Sequence, residues 1–111
     1  INGNCYSKRD FLPITALNGI LLQILEKQEP IPEIINISSG KSRNLLEVAI
    51  NVSDIVSRHT GKKVKVIKNT ASEKETTLTI KNTALEKMNI FPREDFELEI
   101  RSMLDYLKSC K

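Results

Sequence analysis

Tryptophan is absent from this chain of 111 residues, and three phenylalanines with two tyrosines bring aromatics to only 5% of it. Binders of single-stranded nucleic acid stack bases on such rings, so the composition argues against that class. Histidine is almost missing too. His59 stands alone, and Cys5 and Cys110 lie near opposite ends without C-x-x-C spacing, which leaves neither a zinc constellation nor a disulfide framework. The expectation is two reduced thiols in a cytoplasmic protein. No apolar run approaches the roughly 20 residues that span a bilayer, and no signal peptide is visible, so no membrane partner is expected.

Glycine is scarce, at four residues. There is no G-x-G-x-x-G dinucleotide fingerprint, no Ser/His/Asp set and no Tyr-x-x-x-Lys pair, so no catalytic centre is visible and no cofactor site is expected within these residues. One stretch, "NISSGKSRNLLEVAI", has the look of a phosphate loop. Its spacing rules that out. A G-x-x-x-x-G-K-[ST] loop wraps the phosphates with backbone N–H groups and would place its first glycine at position 35, which is Ile35. Gly40 then serves to turn the chain, while Asn44 followed by Glu47 reads as the N-cap and capping box of the next helix.

What is present is an ordinary globular mixture of 40% hydrophobic and 28% charged residues, of a size for one compact domain or one lobe of a larger protein. The 17 basic and 14 acidic residues are interspersed and leave a formal net charge of +3. Only "GKKVKVIK" concentrates lysine. Alternation with Val and Ile makes it a half-exposed strand rather than a nucleic-acid arm. The sequons Asn36-Ile37-Ser38 and Asn51-Val52-Ser53 fall at a strand end and inside a helix, where glycosylation is not expected.

Periodicity orders the elements. "RDFL" is a short extended piece, and Thr15 is placed to cap a helix over 16–28 with Leu17, Ile20, Leu21, Ile24 and Leu25 on one face. Two prolines in "EPIPE" stop it. The β-branched run at 34–38 predicts a buried strand, 45–58 a helix carrying Leu45, Val48, Ala49, Val52, Ile55 and Val56 and ended by Gly61, and 63–67 a second strand. Strand, helix, strand over short connections predicts a parallel βαβ unit, hence a mixed α/β (α+β) fold. After a loop that becomes extended at 77–80, short helices are expected over 82–88 and 95–108. The last should bear a stripe of Phe96, Ile100, Met103, Leu104 and Leu107.

In this order the pieces resemble the C-terminal lobe of the NAD-dependent epimerase/dehydratase family, the extended short-chain dehydrogenases that modify nucleotide sugars. "RDFLPITALNGILLQIL" is similar to that family's Arg-Asp-Phe/Tyr strand and helix. "INISSGKSRNLLEVAINVSDIV" is similar to its Asn-Ile-Gly-Ser-Gly turn and Leu-Leu-Glu helix, and "IKNTALEKMNIFPREDFELEIRSMLDYLK" to its closing helix, Leu-Gly break, Pro and final helix. The resemblance implies that residues 1–111 are one substrate-binding lobe of a two-lobe epimerase, dehydratase or reductase, inactive alone. NAD or NADP, the glycine fingerprint and the Tyr/Lys pair would belong to an N-terminal Rossmann lobe absent from this sequence.

By that resemblance Arg9 reaches the diphosphate of a nucleotide-diphosphate sugar, a role that suits a guanidinium fork; the bland alternative is a surface pair with Asp10 or another carboxylate. A second family arginine, expected in the loop at 70–75, is missing. Lys74, with Lys68 as the other choice, is the expected replacement, as a point charge without the fork. Thr15 or Ala16 stands where an acidic residue is usual, and Lys81 where an Asp is usual. The expected partners are the nucleotide sugar, the Rossmann lobe and further copies of the chain, with a free-standing α/β binding module as the competing reading.

Overall fold

A computed structural model of the chain, which describes residues 1–69 and 75–110, has two short strands and four helices among those residues. Strand β1 (Lys8–Asp10) leads into helix α1 (Ile14–Glu26), and strand β2 (Ser42–Asn44) into helix α2 (Leu45–Thr60). Helices α3 (Thr83–Lys87) and α4 (Phe96–Ser109) close the chain. No helix among the described residues is long and apolar enough to cross a membrane.

The helix ends follow local chemistry. Asn44 accepts from the Glu47 amide at 2.7 Å while the Glu47 carboxylate accepts from the Asn44 amide at 3.0 Å, the reciprocal capping box expected of α2. Arg58 and His59 sit in the last turn, where the helix dipole favours cations, and Gly61 closes it at φ 71°. Helix α3 ends in a Schellman motif: the Ile90 amide donates to the Leu85 carbonyl and the Asn89 amide to the Glu86 carbonyl. Asn89 holds the left-handed φ of 58° that the motif requires. Its side chain can tolerate this conformation, so it replaces the glycine of the resembled Leu-Gly break.

Thr15 is not the cap of α1. The helix starts two residues earlier than expected, at Ile14 after Pro13, and has no side-chain cap from its own flank. Instead Glu99 of α4 accepts from the Thr15 amide at 2.7 Å and from the Thr15 hydroxyl at 2.6 Å. A carboxylate from across the fold thus satisfies a free first-turn donor and meets the positive end of the dipole.

The sheet also differs from expectation. β1 and β2 pair antiparallel, with Lys8 opposite Asn44, Arg9 opposite Arg43 and Asp10 opposite Ser42. Residues 34–38 and 63–67 form no strand among the described residues, so a parallel βαβ unit is not what the described chain builds. Side chains hold these segments in place of a ladder. Asn82 accepts from the Ser38 amide and donates to the Ser38 carbonyl, both at 2.9 Å, while Val64 is tied to Ser57 and Ser53 of α2. The expected extension at 77–80 is present only as Thr77, which bridges to Lys8 in parallel.

Ile20 of α1, Leu85 of α3 and Ile90 form the buried core, with Leu12, Ile24, Ile35, Ile37 and Met88 packed against it. Leu85 and Ile90 are the two residues whose apolar contact accompanies the Schellman turn, so the end of α3 and the core are one feature. Helices α2 and α4 pack on each other, and each buries one isoleucine, Ile55 and Ile100. The predicted stripes are only partly covered: Leu21 and Leu25 of α1 and Met103 and Leu107 of α4 are exposed.

Candidate functional site

β1 is the central element of the site. Lys8 directs its N–H to the Thr76 carbonyl at 2.8 Å and its C=O to the Leu78 amide at 3.0 Å. Its own backbone groups therefore face away from β2. In the antiparallel alternation this makes Arg9 and Arg43 the pair that exchanges backbone bonds, with Cα atoms about 5.5 Å apart and side chains on one face.

The two guanidiniums diverge on that face. Nη1 of Arg9 donates to its neighbour's Lys8 carbonyl at 2.8 Å and to the Thr76 hydroxyl at 3.2 Å. The Thr76 hydroxyl lies 3.1 Å from that of Ser7. Arg9 is exposed and, among the described residues, has no carboxylate partner. The alternative pairing with Asp10 does not occur, because Asp10 accepts from the Ser39 amide at 2.8 Å and from the Ser39 hydroxyl at 3.0 Å.

Arg43 is neutralised. Its Nη2 lies 2.6 Å from Glu94 Oε2 and its Nη1 3.5 Å from Oε1, and the guanidinium sits 4.9 Å from the centre of the Phe96 ring. The Glu94 side chain is only 10% exposed, so it depends on Arg43 as its counter-charge. Sequence reasoning passed over Arg43 because β2 is three polar residues with no apolar alternation to mark it as a strand.

The Ser-Ser-Gly-Lys turn beside this ribbon is fastened from two sides. Ser39 is held by Asp10, and buried Ser38 by Asn82, with its hydroxyl 2.6 Å from Asn82 Oδ1 and 2.9 Å from the Ile80 carbonyl. Gly40 takes φ 76°. It turns the chain, as expected of it.

Lys68 lies elsewhere, with Nζ 3.0 Å from the Tyr6 hydroxyl and 5.4 Å from the ring centre. An atom so much closer to the oxygen than to the ring sits at the hydroxyl end, not over the face, so this is a hydrogen bond. The bond to Tyr6 raises the lysine's pKa above its ordinary 10.5. Lys74, the expected replacement for the second arginine, lies outside the described residues. No group of three His, Cys, Asp or Glu side chains is placed to hold a metal among the described residues, where Cys5 is a buried and Cys110 an exposed free thiol.

No protein-family model matches the sequence, and neither does any curated protein. Solved structures do. The chain aligns with RMD from Pseudomonas aeruginosa complexed with NADPH at 16% identity and TM-score 0.70, over 100% of this chain and 36% of that one. UDP-N-acetylglucosamine 4-epimerase from Methanobrevibacter ruminantium M1, in complex with UDP-N-acetylmuramic acid, gives 20% and 0.71, over 100% and 34%. UDP-glucuronic acid 4-epimerase from Bacillus cereus, in complex with NAD, gives 23% and 0.67, over 98% and 33%. The fold is that of one third of these enzymes. Two of the three are UDP-sugar 4-epimerases by name.

Proposed function

We propose that this chain is the substrate-binding lobe of a cytoplasmic NAD- or NADP-dependent enzyme that epimerises, dehydrates or reduces a nucleotide-diphosphate sugar. The observation that carries the proposal is Arg9: an exposed guanidinium without a carboxylate among the described residues, on the Arg-Asp-Phe strand of a fold shared with UDP-sugar epimerases. Its unused N–H groups suit a phosphate oxygen pair. Hydride transfer and proton transfer need a held nicotinamide and a nearby acid or base, and these are assigned to a second, Rossmann-type lobe.

Helix α1 supports that second lobe. Ala16, Ile20 and Ile24 face the core, yet Ile14, Leu21, Leu22 and Leu25 lie exposed on its other side, with Leu25 at 79%. A helix apolar on both sides belongs inside a larger molecule. Ile34, also exposed at 79%, adds to the same kind of surface.

Two experiments test the proposal. The coding sequence upstream of Ile1 should encode a strand followed by G-x-G-x-x-G and, later, a Tyr-x-x-x-Lys pair; a frame without them removes the enzyme reading. In the complete protein, Arg9→Ala should weaken UDP binding by about 1.5–3 kcal/mol, the range for a hydrogen bond to a charged group, and leave NAD binding unchanged. Arg9→Lys should recover part of the loss. Equal UDP affinity in wild type and Arg9→Ala would make Arg9 a plain surface residue.

A further inference from the structure

We propose that Thr76, anchored by Ser7, is a positioning residue for Arg9: it fixes the guanidinium by Nη1 and leaves the Nε/Nη2 edge as the one offered to an anionic ligand. The proposal rests on the reading of Arg9 as a phosphate ligand and gives a part to two hydroxyls that neither the motifs nor the fold likeness singles out.

The donors of Arg9 are unequally used. A guanidinium carries five N–H groups in a planar fork, two on each terminal nitrogen and one on Nε. Both protons of Nη1 are engaged, since this atom donates to the Lys8 carbonyl at 2.8 Å and to the Thr76 hydroxyl at 3.2 Å. Three N–H groups remain. An oxyanion takes two parallel bonds from one edge of the fork, and with Nη1 occupied the end edge shared by the two Nη atoms is closed. The side edge, Nε with Nη2, makes no bond among the described residues.

The protons can run in only one direction. An arginine only donates, so the Thr76 oxygen accepts from it, and the Thr76 O–H is left to donate to Ser7 Oγ at 3.1 Å. Ser7 Oγ also accepts from the Thr76 amide at 3.2 Å. One serine thus holds Thr76 by both its amide and its hydroxyl, and each bond in the row from Nη1 to Ser7 polarises the next.

Backbone pairing fixes where that hydroxyl stands. The Thr76 carbonyl accepts from the Lys8 amide, and the Lys8 carbonyl that takes Arg9 Nη1 also accepts from the Leu78 amide. The chain around Thr77 therefore runs parallel to β1 on the edge away from β2. Arg9 lies exposed and would otherwise sample many rotamers, at about 2 kcal/mol of entropy for a free arginine. Held by Nη1, it loses less of that freedom when a ligand arrives.

The test is calorimetric titration of the complete protein with UDP, with melting curves to verify folding. Thr76→Val keeps the shape and the backbone pairing but removes the hydroxyl. It should bind UDP about two- to tenfold more weakly, the range of one neutral hydrogen bond, while Thr76→Ser should bind as wild type does. In the Arg9→Ala background Thr76→Val should cost nothing further, a dependence that a merely structural threonine would not show. Should Thr76→Val melt early, Ser7→Ala carries the same test with the same expected loss, because it releases the Thr76 hydroxyl and leaves Arg9 in place. In proton–nitrogen correlation spectra the Arg9 Nε–H signal, identified by its absence in Arg9→Ala, should move when UDP is added. Wild-type UDP affinity in a normally melting Thr76→Val overturns the proposal. So does a loss that is equal with and without Arg9, a Thr76→Ser as weak as Thr76→Val, or an unmoved Nε–H signal. Arg9→Ala separates the two levels: no loss there fells the underlying reading, whereas loss there with none in Thr76→Val fells this proposal alone.

Discussion

Asn89 adopts a left-handed backbone that most side chains resist, at a cost of roughly 1–2 kcal/mol for a residue with Cβ. It does so because the turn it makes brings Ile90 onto Leu85 and into the core. Asn89→Gly should leave thermal stability equal or slightly raised, while Asn89→Val should lower it by about 1–2 kcal/mol, readable by chemical denaturation. At Lys68 the question is pH. Its folded pKa is raised by the Tyr6 hydroxyl above 10.5, so the stabilising contribution is complete below pH 10.5 and is lost as pH rises through the raised value. The melting temperatures of wild type and Tyr6→Phe should accordingly differ below that point and converge above it. The difference is small because Lys68 is exposed.

Helices depend here on what reaches them from outside. Helix α2 carries its own capping box, so Asn44→Ala should cost about 1 kcal/mol in a denaturation measurement. Helix α1 has no such device and borrows Glu99 from α4. Glu99→Ala should therefore destabilise by about 0.5–2 kcal/mol although Glu99 lies 84 positions beyond Thr15. An unchanged midpoint would show that water satisfies the Thr15 amide equally well. Of the elements read from periodicity, the helices were legible because an apolar face repeats every three or four residues. The strands were not. The runs at 34–38 and 63–67 have strand composition, but a strand exists only when a neighbour offers a ladder, and β2 forms from Ser42–Asn44 because β1 is beside it.

The whole molecule is a slab, 49 × 40 × 19 Å with a radius of gyration of 17.0 Å; a compact chain of this length would have about 13 Å. Its accessible surface is 8311 Å², against roughly 6,200 Å² expected for a compact monomer of this mass. Leu22, Leu25 and Ile34 are among the apolar residues left exposed, and exposed apolar patches seek a partner. In isolation the 111-residue chain should self-associate as its concentration rises, detected as a growing mass by light scattering. A strict monomer at millimolar concentration would contradict this account of α1 and Ile34.

The sequence by itself determined the local events: the capping box of α2, the glycine stop at Gly61, the proline break after α1 and the failed phosphate-loop spacing at Ile35. Each depends on residues within a few positions of one another, so one-dimensional spacing carries it. Tertiary structure alone decided which distant groups meet. That Asp10 turns to Ser39 and leaves Arg9 without it, that Arg43 stands opposite Arg9 with Glu94 as its counter-ion, and that Glu99 caps α1 are matters of register and packing across 29 to 84 positions. Charge and hydrogen-bonding groups choose partners by distance in space. The chain order that encodes a helix face says nothing about which carboxylate will reach which cation.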